Sequence, residues 1–313
     1  MSVLKPGYRC LAGLVLILLV SSCTTTTQTI QLRKSPPDIP IFAELTSTPF
    51  YPQRKYQCGP AALATVINFH EALTTPDLLI PQVYIPELNG TLQIEMLAAS
   101  RRLNRLAIEQ DGQLTSILKE VANGNPVLVM QNLGFERYPF WHYAVVIGYD
   151  LDQREIILRS GEIKRLVRPF TVFERTWQRS KFWSVIVVPA GVMPITVNAE
   201  SYSKAAIAFE LTSAKQQSLL VYQKGIERWP GNFILQMGLG NISYALSKYV
   251  EAEHAFLTAI TINPDKAEAW NNLAYALIRQ GKKKQALKAV NKAIEIEPAN
   301  SQYRDSLVEI EKL

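Results

Sequence analysis

Tyr56-Gln57-Cys58-Gly59-Pro60-Ala61-Ala62-Leu63 decides how the first half of this chain is read. A cysteine meets Gly-Pro and then an Ala-rich apolar run. Proline is favoured in the first turn of a helix, where its missing N–H is not needed, and alanine propagates the helix. The expected element is a helix beginning near Cys58, with its apolar run from Ala61 to Phe69. The thiol then sits at the positive end of the helix dipole, with the backbone N–H of Cys58 available to an oxyanion. A cysteine nucleophile requires a thiol partly ionised near neutral pH, at a helix N-terminus beside an imidazolium. The motif alone leaves a second reading equally open, because a buried, inert cysteine is a common fate for this residue.

The histidines tilt that balance. The chain has three. His254 falls in a helical repeat, where a surface role is adequate. His70 shares the helical segment of Cys58 but lies about three turns, ~18 Å, along it, too far to act on the thiol. His142 remains, in Phe140-Trp141-His142-Tyr143-Ala144-Val145-Val146-Ile147-Gly148-Tyr149. It stands at the mouth of an apolar strand, a rigid support for holding an imidazole against a facing helix.

Around these two motifs, residues 46–190 have a mixed texture. Helical patterns at Gln93–Leu103 and Leu114–Val121 follow the first helix, and Gly124-Asn125-Pro126 breaks the second of them. Strand-like runs come next, at Val127–Gln131, Tyr143–Tyr149, Glu155–Leu158 and Trp183–Val188. Helices first and sheet afterwards is an α+β order, and the short links between the middle strands predict antiparallel pairing.

Gln53, the Cys58-Gly59-Pro60-Ala61-Ala62-Leu63 stretch and the run from His142 to Gly148-Tyr149 together resemble the papain-like bacteriocin-processing (double-glycine) peptidase family. The resemblance covers residues 46–190. It implies a papain-like α+β fold, with N-terminal helices packed on an antiparallel sheet, and a cysteine peptidase acting on a polypeptide substrate. It also implies roles: Cys58 as nucleophile, His142 as its base, and Gln53 as the side-chain donor of the oxyanion hole. Gln57 competes for that last role but is adjacent to Cys58 and poorly placed. The family has Asp-Pro at the end of the following strand to orient the imidazole, where this chain reads Leu158-Arg159-Ser160-Gly161. Ser160 is the expected orienting residue, neutral where the family has a charge. Asp150 and Asp152 fit the turn between the strands instead. The family's usual setting is the front of an ATP-driven exporter, whereas no phosphate-binding glycine loop or transmembrane bundle is legible here. No metal or cofactor is expected, since three scattered histidines and one thiol offer no ligand set.

The C-terminal third repeats itself. Leu239-Gly240, Ala252, Phe256, Ala259 and Pro264 align with Leu273-Ala274, Ala286, Val290, Ala293 and Pro298 at a period of 34 residues. Tyr202, Ala205, Ala206, Phe209, Tyr222 and Pro230 fit one period upstream more loosely. These residues resemble the tetratricopeptide pattern, in which small side chains let two helices pack closely and a proline stops the second. The expectation is an all-α solenoid over residues 199–313, with about three repeats and a final helix, Ser301–Lys312, covering the open end. Pro189–Ile195 leads into it, residues 191–198 forming a linker. The concave face of such an array is expected to take a protein partner or a substrate segment.

The N-terminus has its own signature. Residues 1–22 carry Lys5 and Arg9 and then an apolar run, Leu11–Val20, too short to span a bilayer comfortably and suited to a signal peptide. Val20-Ser21-Ser22-Cys23 resembles the bacterial lipoprotein signal, which implies acylation of Cys23 and a lipid anchor in the cell envelope. Threonine after the cysteine points to the outer membrane, facing the periplasm. Residues 23–45, with Thr24–Thr27 and Ser35-Pro36-Pro37-Asp38-Ile39-Pro40, then read as a tether. With Cys10 in the signal and Cys23 acylated, Cys58 has no disulfide partner. About 290 residues beyond the signal suit two modest domains. An apolar fraction of 48% with 19% charged is ordinary for globular protein. The net charge of +6 is spread along the chain. Its densest cluster, Lys282-Lys283-Lys284, fits a solvated helix or loop rather than nucleic acid.

Overall fold

Alternating apolar residues in the middle of the chain build the sheet on which the first domain rests. The computed structural model describes residues 26–53 and 57–312. Its first elements are α1 (Thr27–Lys34), β1 (Phe42–Glu44), α2 (Cys58–Phe69) and α3 (Pro76–Val83), then the short strands β2 (Tyr84–Ile85) and β3 (Gly90–Thr91). There follow α4 (Gln93–Arg102), β4 (Arg105–Glu109), α5 (Leu114–Ala122), β5 (Val127–Asn132), β6 (Trp141–Asp150) and β7 (Glu155–Ser160). The domain closes with β8 (Ile163–Pro169), α6 (Phe170–Gln178) and β9 (Ser184–Pro189).

Seven strands form one antiparallel sheet in the order β4-β9-β5-β6-β7-β8, with β1 added beside β6. Strand β6 is the spine, and the period of two divides its side chains between two layers. Tyr143, Val145 and Ile147 cluster with Leu63, Val66 and Ile67 of α2. Ala144 and Val146 cluster with Ile117 of α5 and Phe173 of α6. Burying side chains such as Leu63, Val66 and Ile67, each fully inaccessible, contributes about 1.5–3 kcal/mol apiece. That burial fixes how α2 lies on the sheet, and with it the position of Cys58. Gly148 lets β1 approach, since a Cβ there would fall 2.8 Å from the Ala43 carbonyl oxygen.

The second half is the expected solenoid. Three helix pairs follow one another: α7 and α8 (Ala199–Glu210, Lys215–Arg228), α9 and α10 (Phe233–Ala245, Tyr249–Ile262), and α11 and α12 (Ala267–Ile278, Lys283–Ile296). A last helix, α13 (Ser301–Lys312), seals the end through Ile310, which is packed against Ala286 and Val290. Tyr202, Ala205 and Phe209 of α7 share one core with Leu106 and Ile108 of β4, so the first repeat is bonded to the sheet domain by apolar packing.

Residues 26–45, the described part of the expected tether, differ from it. Within them α1 is a docked helix and β1 is part of the sheet. Periodicity could not reveal α1, because polar groups hold it. The fully buried Glu174 carboxylate accepts the N–H groups of Gln28 (2.9 Å) and Thr29 (2.6 Å) and the Thr29 hydroxyl (2.5 Å). The Gln28 side chain donates to the Gly112 carbonyl and accepts the Leu114 N–H at the start of α5. Strand β8 also escaped the pattern. It is a charged, exposed edge, the form in which natural sheets blunt their edges. Residues 1–25, including the expected signal and Cys23, lie outside the described residues.

Candidate active site

Cys58 is the first residue of α2, and Gln57 before it makes no side-chain cap. The amides of that first turn are therefore open to the sulfur, which accepts from the backbone N–H groups of Gly59 and of Cys58 itself. A third donor comes from the sheet. The Tyr143 N–H also points at the sulfur, and Tyr143 directly follows His142. The carbonyl of the same Tyr143 accepts Nε2 of Gln53 at 3.3 Å. Tyr143 thus joins the thiol and the amide of Gln53 through the two ends of its own backbone. Strand β7 stops pairing with β6 at Val145, which leaves this stretch of the edge unoccupied by strand.

His142 is buried at the second position of β6, and its Nε2 lies 2.8 Å from Oγ of the buried Ser160 at the end of β7. Its other ring nitrogen has no hydrogen-bond partner among the described residues. Among the described residues no hydrogen bond joins the thiol to the imidazole, and the groups that lower the thiol's pKa are backbone amides. Asp150 belongs to the β6–β7 turn, where its carboxylate accepts the Gln153 N–H (2.8 Å), about 26 Å along the strand from His142. His70 follows the far end of α2, and His254 is exposed on α10.

The electrostatics differ from the sequence expectation of a partly ionised thiol. Burial pushes the Cys58 thiol up, and the Tyr143, Gly59 and Cys58 amides offset this only in part. Burial also lowers His142 to about 4. Among the described residues neither group has a charged partner, and desolvation disfavours the charged form of each. Burial thus favours the neutral thiol and the neutral imidazole.

Two supports were not legible beforehand. Arg159 is buried, and its guanidinium donates to the carbonyls of Thr46 (3.2 Å), Thr48 (3.0 Å) and Lys164 (2.5 Å). It straps down the segment that leads to Gln53. The only signal was a charge inside an otherwise apolar strand. Gly59 is required by β3, because a Cβ there would lie 2.5 Å from Thr91 Oγ1 and 2.7 Å from Thr91 Cβ. Threonine is stiff at χ1, and the Thr91 carbonyl is held by the Tyr143 hydroxyl at 3.1 Å. Gly59→Ala is therefore expected to cost about 1–3 kcal/mol. Urea unfolding would read this as a lower midpoint at unchanged slope, and an unaltered midpoint would contradict the close approach.

Comparison with known proteins gives two matches along the chain. Residues 45–185 match the model of the Peptidase_C39 like family, and residues 243–309 match the tetratricopeptide repeat. The peroxisomal targeting signal receptors of Kluyveromyces lactis and Candida albicans are 30% and 33% identical to this chain over 73 residues, 23% of its length. This chain spans only 13% and 12% of those receptors. Among solved structures, the first repeat domain of human RPAP3 is 21% identical with a TM-score of 0.35, covering 36% of this chain and 90% of its own. The Sgt2 repeat domain from Aspergillus fumigatus is 18% identical with a TM-score of 0.35, over 36% of this chain and 77% of its own. The chain thus carries a Peptidase_C39-like domain at its N-terminal side and tetratricopeptide repeats at its C-terminal side.

Proposed function

We propose that this chain, a Peptidase_C39-like domain joined to tetratricopeptide repeats, hydrolyses peptide bonds through Cys58 and His142 while its repeats hold a protein partner or the substrate polypeptide. The observation that carries this reading is the double use of Tyr143. Its N–H meets the Cys58 sulfur, its carbonyl meets Gln53, and its neighbour in the chain is His142. These contacts bring the thiol and the amide donor to one residue of a rigid strand, next in sequence to His142.

The chemistry follows from the neutral pair. With its proton on Nε2, His142 donates to Ser160 and keeps a lone pair on Nδ1. As the sulfur attacks the scissile carbonyl carbon, its proton passes to Nδ1. The oxyanion takes the Cys58 N–H and the second amide hydrogen of Gln53, whose first is spent on Tyr143. The imidazolium returns the proton to the leaving amine, the C–N bond breaks, and water hydrolyses the thioester. Ser160 positions the ring without supplying charge. The test is mass spectrometry of a mixed peptide library incubated with wild-type protein and with Cys58→Ala. Fragments are expected from the wild type alone, and an intact library in both would remove the peptidase reading.

Two observations favour a second reading, a binding protein on a peptidase fold. Ser160 stands where the family pattern has a carboxylate, and burial holds the thiol up. On that reading partner capture by the repeats persists in Cys58→Ala and no fragments form in either protein.

We further propose that the chain is a lipoprotein of a bacterial cell envelope, acylated at Cys23. Residues 24–26 alone separate that cysteine from α1, a reach of about 10 Å. Thr26 lines a surface cavity with Arg154 and Phe170, at the end of β6 opposite His142. The anchor would hold the domain close to the bilayer with the thiol facing away. Cys23→Ala is expected to move the protein from the membrane to the soluble fraction, and an unchanged distribution would refute the anchor.

A further inference from the structure

At the end of β6 opposite His142, α1, the β6–β7 turn and the start of α6 line a surface cavity of about 380 Å³. Part of its lining is one stripe of α1. Thr26, Thr29, Ile30 and Arg33 recur at the helical spacing of three and four, so they share the face of α1 that borders the cavity. Gln153 and Arg154 border it from the turn.

The charges of this lining are of one sign. Arg33 and Arg154 are exposed, and among the described residues neither makes an ion pair or a side-chain hydrogen bond. Asp152 and Glu155 flank Arg154 in the turn without lining the cavity. The Glu174 carboxylate behind Thr29 is buried and already matched by three donors. Two cations brought to one cavity repel, and an anion accepting from both relieves this.

The surroundings point to the source of that anion. The lining begins at Thr26, three residues after Cys23, within a reach of about 10 Å. Ile41 and Phe42 are exposed at the same end of the sheet, at 58% and 51%. The Ile41 carbonyl accepts the Leu151 N–H there, and Phe42 pairs with Asp150. Exposed apolar side chains beside unpaired cations suit a phospholipid surface, where the former enter the acyl boundary and the latter meet phosphates.

We propose that this face contacts the bilayer and that the cavity takes the phosphodiester of an anionic phospholipid, held by Arg33 and Arg154. The assignment rests on the lipid anchor proposed above. Two cations hold a protein on a bilayer too weakly to replace acyl chains, so the face orients the tethered domain.

Vesicle co-sedimentation of residues 24–313 tests this. That chain keeps every described element and lacks Cys23 and the apolar run Leu11–Val20, which would itself insert. Phosphatidylcholine vesicles with about a third phosphatidylglycerol are expected to bind it at least about tenfold more strongly than phosphatidylcholine alone. Arg33→Gln and Arg154→Gln are each expected to weaken that binding about fivefold, with the thermal midpoint retained at these exposed positions. Removing the same charge from exposed positions of α12, with Lys284→Gln and Lys288→Gln together, is expected to change binding by less than about twofold. Equal binding to neutral vesicles or an equal loss in the lysine variant would overturn the proposal. Saturation by inorganic phosphate below about 1 mM without vesicles would also overturn it, by assigning the cavity to a free anion. Fractionation of Cys23→Ala reads the anchor and these vesicles read the face, so either can fail alone.

Discussion

His142→Ala is expected to reduce peptide hydrolysis by about 10²–10⁴-fold, the range for loss of a positioned general base. The wild-type pH profile carries the more specific signature. A base must be neutral to take the Cys58 proton, and burial lowers His142 to about 4. The acid limb of kcat/KM is therefore expected near pH 4, not near the ordinary imidazole value of about 6.5. An acid limb near 6.5 would contradict the buried, neutral ring. Stability moves with the same proton. The unfolded chain protonates this histidine near 6.5 and the folded chain near 4, so the unfolded state binds more protons between those values. Stability is full above about pH 6.5 and falls as the pH drops towards 4, by about 2–3 kcal/mol at pH 4.5 for this one group. His70 is lowered to about 4 as well, by burial and by Arg105, and contributes with the same sign. Urea unfolding of wild type and His142→Gln at pH 7 and 4.5 separates the two, because on acidification the variant should lose only the His70 share. An equal loss in both proteins would assign the effect elsewhere.

Arg159→Met is expected to destabilise the fold by about 3–5 kcal/mol. The methionine fills much of the volume but leaves the Thr46, Thr48 and Lys164 carbonyls without their charged donor. Hydrogen bonds to charged groups are worth about 1.5–3 kcal/mol each, and stranded buried acceptors bear the desolvation cost as well. The same change frees the segment that delivers Gln53, so kcat should fall in whatever fraction remains folded. Arg159→Lys, which keeps the charge but not the planar fork, should recover only part of the stability. A variant as stable as wild type would show that the strap is not what holds the segment.

Much of the candidate site was legible from local chemistry. Gly59-Pro60-Ala61-Ala62 announces a helix with a cysteine at its start, and the apolar alternation after His142 announces a buried strand. The two elements follow from residues within a few positions of each other. What stayed hidden depends on partners distant in sequence. Helix α1 has no apolar stripe and exists because Glu174, some 145 residues later, caps its amides. Arg159 looked like a misfit in its strand because the carbonyls it serves lie up to 113 residues away.

Read alone, the sequence determined an α+β domain followed by a helical array. Hydrophobic periods of 2, 3.6 and 34 residues are properties of composition along the chain and survive without knowledge of contacts. The tertiary structure decided the protonation of the site. Dipole and motif point to an ionised thiol, yet the charge on Cys58 and His142 depends on how completely packing removes water from both. Once α2 settles on the sheet, no charged partner among the described residues meets the thiol, and desolvation outweighs three backbone amides.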